Sequence, residues 1–234
     1  MRPIDKGASP QVFLDYRDAK PFLTDRLGTY CSFCERLILT GLAVEHIQPK
    51  GRKKYAHLKN EWNNFLLCCV NCNSAKSKKD VTTNNFLLPD RDNTFPFFEY
   101  DELGMVNPIG TPATRRLAKK TIDLVALNKT THKKWDEDTM RSALERFSQR
   151  VQVWVQAKEA REDYNKGEVN VRRIASEAAS TGFFSIWLKA FEGIAPVRRA
   201  IINLYKNTAP DCFDASANPI NPRPRNGLTN SGKS

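Results

Sequence analysis

Cys31-Ser32-Phe33-Cys34 and, after 34 intervening residues, Cys69-Val70-Asn71-Cys72-Asn73-Ser74-Ala75-Lys76 frame the stretch that decides this fold. Between them lies Val44-Glu45-His46-Ile47-Gln48-Pro49-Lys50-Gly51, followed by a basic run and then Trp62-Asn63-Asn64-Phe65-Leu66-Leu67. A two-residue gap lets both thiolates of one turn reach one ion at roughly 2.3 Å, and two such turns complete a tetrahedron. Cys31, Cys34, Cys69 and Cys72 are therefore read as a structural zinc site, whose four protein ligands leave no open position for chemistry. Cys68 competes, but only Cys69 keeps the gap to Cys72, so Cys68, after the apolar Leu66-Leu67, is expected to pack inward. The separation of the two pairs is long for a bare zinc ribbon, so a substantial insertion must sit between the knuckles.

Outward from this centre the chain divides into four. Residues 1–28 form a lead-in, with Tyr16 to Leu27 carrying apolar residues at loosely helical spacing. Residues 29–112 hold the cysteine-rich centre and a loop-rich extension with four prolines after residue 80, in which Phe97 to Tyr100 and Met105-Val106 suggest a hairpin. Residues 113–206 read as helical. Leu117, Ile122, Leu124, Val125 and Leu127 suit one helix, and Met140, Leu144, Phe147, Val151, Trp154 and Val155 mark a long one from about Asp136 to Tyr164. Phe183, Phe184, Trp187, Leu188 and Phe191 mark another, and Pro196 opens a last helix from Val197 to Tyr205. Residues 207–234, with four prolines, five asparagines and few large apolar side chains, read as a disordered tail that includes the unassigned Cys212. The fold class expected is α+β, a small zinc-bound core followed by a mainly α-helical region.

The charge balance points to the partner. With 37 Lys+Arg against 26 Asp+Glu the formal net charge is +11, an excess that suits a polyanion such as nucleic acid. From Glu45 to Asp80 there are eight basic residues against three acidic ones. Lys50, Arg52, Lys53, Lys54, Lys76, Lys78 and Lys79 are the candidate phosphate contacts. No apolar run reaches the roughly 18–20 residues needed to span a bilayer, and the N-terminus has no signal-peptide core, so a cytoplasmic location is expected. In such a reducing compartment six cysteines favour metal ligation over disulfides.

Glu45-His46-Ile47-x-Pro49, Asn64 five residues before Cys69-x-x-Cys72, then Asn73-x-x-Lys76 resembles the HNH endonuclease motif in its zinc-bound ββα-metal form, over residues 29–80. The resemblance implies a metal-dependent phosphodiesterase in which His46 is the general base and Asn64 orients its imidazole. Glu45 and the Asn73 side-chain oxygen would hold a catalytic cation. Such a reaction needs a group titrating near neutrality to take a proton from water, and a hard cation to offset charge on phosphoryl oxygens. The third motif position is Asn73 rather than histidine, which favours Mg²⁺ or Mn²⁺ over catalytic Zn²⁺. His57 is a competing base or ligand that its neighbours Ala56 and Leu58 do not support.

The wider chain, over residues 1–205, is similar to the HNH subunit of Septu anti-phage defence systems, which also occurs in some retron operons. Met1-Arg2-Pro3-Ile4-x-Lys6-Gly7, Tyr30 to Arg36, Ala43 to Lys50 and Leu88-Pro89-Asp90-Arg91 carry that similarity. It implies an ABC/SMC-like ATPase partner and, in retron versions, a reverse transcriptase with its DNA–RNA product. The helical region is the expected docking surface. A non-catalytic zinc module that binds nucleic acid, or a scaffold, is the competing reading.

Overall fold

A computed structural model describes residues 1–131 and 136–234. The chain opens in an extended segment gripped on both sides. Ile4 donates its N–H to the Pro89 carbonyl at 2.8 Å, and Asp5 donates to Asn207 at 2.9 Å. Helix α1 (Ala19–Leu27) follows a short 3-10 turn at Tyr16–Asp18 and buries Ala19, Leu23 and Leu27, each four residues from the next.

Strands β1 (Ala43–His46) and β2 (Phe65–Cys68) pair antiparallel, with Glu45 opposite Leu66 and His46 opposite Phe65. All four β2 residues are buried, matching their unbroken apolar run. Helix α2 (Val70–Lys76) starts directly after Cys69, which gives a ββα unit. The basic insertion between the strands folds into 3-10 turns at Lys53–Leu58 and Trp62–Asn64. The expected hairpin is present as β3 (Phe98–Tyr100) and β4 (Val106–Pro108), closed by Asp101, whose carboxylate accepts the Met105 N–H at 2.8 Å.

Helix α3 (Pro112–Leu124) is capped by the Thr111 hydroxyl, and α4 (Glu137–Lys166) by Asp136, which accepts the Thr139 N–H at 2.7 Å. The buried face of α4 is not the apolar stripe read from the sequence. Ala143, Arg146, Arg150, Val153, Trp154, Ala157 and Ala160 are buried, while Leu144 and Val155 are exposed. The surface α4 meets explains the rotation: the chain beyond α3 presents the Ala126 and Leu127 carbonyls there, Ala126 also accepting the Lys129 N–H at 3.2 Å. Arg146 and Arg150 donate to the Ala126 and Leu127 oxygens, each at 2.5 Å. Buried carbonyls left without donors would cost more than two exposed aliphatic side chains do.

Helices α5 (Val171–Thr181), α6 (Phe184–Ala190) and α7 (Ala195–Leu204) complete the helical region. The sequence reading did not single out α5, whose buried positions are Ile174, Ala175 and Ala178 and so present little apolar bulk. Pro196 lies in the first turn of α7, as expected.

The segment 207–234, read as a disordered tail, is instead packed against the body. Cys212 and Phe213 are buried. The Asn93 amide donates to the Cys212 and Ile220 carbonyls at 2.8 and 2.7 Å. Buried Arg223 meets Asp211 at 3.1 Å and donates to the Ile4 carbonyl at 3.1 Å. Polar contacts to backbone hold this segment rather than apolar mass, so composition did not reveal it. Among the described residues no helix is long and apolar enough to cross a membrane.

Candidate active site and metal centre

The two knuckles meet through their cysteines. The Sγ atoms of Cys31, Cys34, Cys69 and Cys72 lie within 4.8 Å of one another, and all four residues are buried. Cys34 Sγ and Cys69 Sγ are 3.6 Å apart, close to the roughly 3.8 Å edge of a tetrahedron with zinc–sulfur bonds. Four convergent sulfur donors suit a structural zinc ion. Cys68 is fully buried in β2 and stands outside the quartet.

The helical region clasps both knuckles. Glu35, in the left-handed conformation (φ 64°), accepts the Phe183 N–H on its carbonyl at 2.9 Å. Its carboxylate accepts the Ser185 hydroxyl at 2.7 Å and N–H at 3.1 Å. The approach is so close that a Cβ on Gly182 would fall 2.7 Å from Leu37 N, which glycine alone avoids. At the second knuckle Asn71 accepts from Ser142 at 2.7 Å, and the Arg146 guanidinium lies 3.5 Å from Cys72 Sγ. Four thiolates around Zn²⁺ carry excess negative charge, which a buried guanidinium offsets.

Beside the metal centre is a cleft of about 640 Å³ whose lining includes Tyr16, Leu42, Glu45, His46, Lys50 and Asn73. His46 ends β1. Its Nε2 donates to the Lys59 carbonyl at 2.8 Å, and its ring packs edge-on against Tyr16 and Phe65 at 4.7 and 5.3 Å. Burial pushes its pKa down to about 4; the Lys59 carbonyl opposes this, and the cations of Lys50, Lys76 and Lys59 reinforce it. The imidazole is thus neutral near pH 7.

Asn64 does not touch the imidazole, contrary to expectation. Its side chain accepts the Gln48 N–H at 2.8 Å and donates to the Gln48 and Leu58 carbonyls at 3.0 and 3.2 Å. Asn64 clamps the loop, and the loop presents the Lys59 carbonyl that orients the ring.

Lys76 turns inward rather than toward a phosphate. It was read as a phosphate contact, yet it is only 1% exposed. Its Nζ lies 2.6 Å from Glu45 Oε1 and donates to the His46 carbonyl at 2.6 Å. Burial raises the Glu45 pKa, and Lys76 pulls against that rise. Asn73 is half-buried in the middle of α2 and reaches the cleft.

The remaining basic residues divide by what they already hold. Lys50 rests on the Tyr16 ring, 3.4 Å from its centroid, and Lys78 lines the cleft beside Gly51. Lys53 is exposed. Lys54 and Arg52 converge on Asp80 at 2.7 and 3.8 Å, so their charge is partly spent within the protein. Lys79 donates to the Leu124 carbonyl at 3.0 Å and caps the end of α3, so it is not a free phosphate contact. His57 is exposed on the Lys53–Leu58 turn and is not among the cleft residues.

Sequence reasoning missed Tyr16, Arg17 and Lys20, which the lead-in brings to the cleft wall. Their distance along the chain from His46 hid them, and no local motif marks them.

Comparison with curated proteins and with solved structures yields no match. Comparison with protein families matches residues 29–79 to the family described as HNH endonuclease. The segment that carries the cysteine quartet, the ββα unit and most of the cleft wall is therefore similar to HNH endonucleases.

Proposed function

We propose that this chain is a metal-dependent nuclease that hydrolyses phosphodiester bonds at the His46 cleft. One observation carries the reading. The hydrogen bond from His46 Nε2 to the Lys59 carbonyl leaves Nδ1 unprotonated, on a neutral ring in the same cleft as Glu45 and Asn73. An imidazole so oriented can take a proton from water at Nδ1. Glu45 and the Asn73 side-chain oxygen are hard donors that fit Mg²⁺ or Mn²⁺, with Lys76 on Oε1 leaving Oε2 for the ion. Bound there, the cation would stabilise charge on the phosphoryl oxygens and the leaving 3′ oxygen. Lys50 and Lys78 hold the flanking phosphates, and Tyr16 shields the imidazole from bulk solvent. The cysteine quartet would hold the Cys31–Cys34 knuckle against the start of α2.

The test is incubation of the purified chain with supercoiled plasmid and with total tRNA in Mg²⁺ or Mn²⁺, beside His46→Ala and an EDTA control. Cleavage lost in both controls supports the nuclease, and the substrate that is cut decides DNA against RNA.

The tight pairing of Glu45 with Lys76 favours a second reading, a non-catalytic zinc module that binds nucleic acid through its basic rim. Salt-sensitive binding without cleavage, unchanged in His46→Ala, would support it.

Resemblance to the Septu nuclease subunit supports a setting in anti-phage defence. There an ABC/SMC-like ATPase holds the nuclease in check, and a reverse transcriptase with its DNA–RNA product joins in retron versions. The helices of this region pack against one another and against the zinc knuckles, so docking falls to their outer faces. A pull-down in which residues 1–112 alone retained the ATPase would contradict that placement.

A further inference from the structure

Just ahead of the cleft-lining Tyr16 the lead-in exposes two aliphatic side chains. Phe13 is 4% exposed, while its neighbours Val12 and Leu14 are 87% and 91% exposed. Single exposed aliphatics are ordinary on protein surfaces. Here two flank one buried anchor in a segment tied down at several points. Phe13 stacks on Trp62 at 5.9 Å and packs edge-on against Phe22 and Phe65 at 5.8 and 6.2 Å. The Asn60 amide donates to the Leu14 carbonyl at 2.6 Å, and Asp15 accepts the Arg17 N–H at 2.9 Å. The next residue, Tyr16, packs edge-on against the His46 ring at 4.7 Å. Val12 and Leu14 are thus fixed relative to the imidazole, through Phe13 against Phe65, which also contacts the His46 ring.

The surroundings indicate what these side chains meet. Lys50 sits over Tyr16, Lys20 lies on the same cleft wall, and exposed Lys59 adjoins Asn60. Apolar side chains standing among cations, beside a cleft suited to a phosphodiester, match a base stack flanked by its phosphates. Resting on the nuclease reading above, we infer that Val12 and Leu14 form a wedge that enters the base stack of duplex DNA next to the scissile phosphate. The wedge unstacks one step and bends the backbone into the His46 cleft. Duplexes that open easily at the cut site are then the preferred substrates, which gives selectivity by deformability without base-edge contacts. Both side chains are exposed, so their replacement leaves the core intact.

The experiment uses the full chain and the double variant Val12→Ser/Leu14→Ser, matched by thermal melting. A duplex with 2-aminopurine in place of adenine is titrated in EDTA, so that binding is read without cleavage. Wild type should raise the fluorescence as the probe unstacks, and the variant should bind with the probe still quenched. In Mg²⁺ the variant should cut the paired duplex about tenfold more slowly or worse, since it no longer opens the step. A two-base mismatch at the cut site should restore most of its rate.

A wild-type complex in which 2-aminopurine stays quenched overturns the wedge, whether or not the duplex is cut. So does a variant that slows on paired and mismatched duplexes alike, or one that matches wild type on both. In that last case the exposed pair is left to a protein partner. Fluorescence that rises with wild type and not with the variant, without cleavage in Mg²⁺, would support the wedge and overturn the nuclease reading separately.

Discussion

Lys76 Nζ lies 2.6 Å from Glu45 Oε1, with the lysine side chain 1% and the glutamate 6% exposed. The same ammonium donates to the His46 carbonyl, so one buried cation holds both residues of the Glu-His pair.

Removing that cation leaves a carboxylate buried and unpaired. Lys76→Met should lower unfolding stability by about 3–5 kcal/mol and cut cleavage by about 10–100-fold through misplaced Glu45 and His46. A double-mutant cycle with Glu45→Gln, read by urea denaturation, should return a coupling of about 1 kcal/mol or more. Additive losses would mean the two side chains act independently.

The pH dependence follows from His46. Its pKa sits near 4 in the fold, below the ordinary value of about 6.5, so the neutral base persists as pH falls through that interval. Cleavage in saturating Mg²⁺ at pH 5.5 should stay within about threefold of that at pH 7.5. The unfolded chain binds the proton first, so this histidine's contribution to stability is full above about pH 6.5 and lost as pH falls toward 4. Melting wild type beside His46→Gln at pH 5 and 7.5 checks the sign, since wild type should lose more on acidification.

Metal analysis of the purified chain should find one zinc ion, with residues 29–79 losing structure when a strong chelator extracts it. Arg146→Met should speed that extraction and destabilise the fold by about 2–4 kcal/mol, because it uncovers both the Cys72 thiolate and the Ala126 carbonyl. Hydrogen exchange at α4 should rise in the variant. Exchange confined to the knuckles would mean the helix docks without the arginine.

Exposed cations should differ from committed ones in binding. Lys53→Ala should reduce the slope of log affinity against log salt by about 1. Lys54→Ala should change it less, because Asp80 already lies 2.7 Å from that ammonium. Equal slopes for the two variants would place Lys54 on a phosphate after all.

Much of the centre was legible because its signals are local. Cysteine spacing is fixed by the reach of a turn around one ion, and the quartet converges as spaced. Pro196 marked the start of the last helix. Glu45, His46 and Asn73 do reach one cleft.

What the sequence could not decide depends on groups brought together from far along the chain. Whether a lysine faces phosphate or carboxylate is settled by burial: Lys76 is buried against Glu45, while Lys78, two residues on, lines the cleft. The buried face of α4 was turned by carbonyls about 20 residues away, and a buried carbonyl demands a donor more strongly than an exposed leucine demands shelter. The ordered C-terminal segment likewise rests on Asn93 and Ile4. Spacing by itself therefore determined the cysteine quartet. Tertiary structure alone decided which charges are spent inside the protein and which remain for a partner, because charge pairing in space carries no period along the chain.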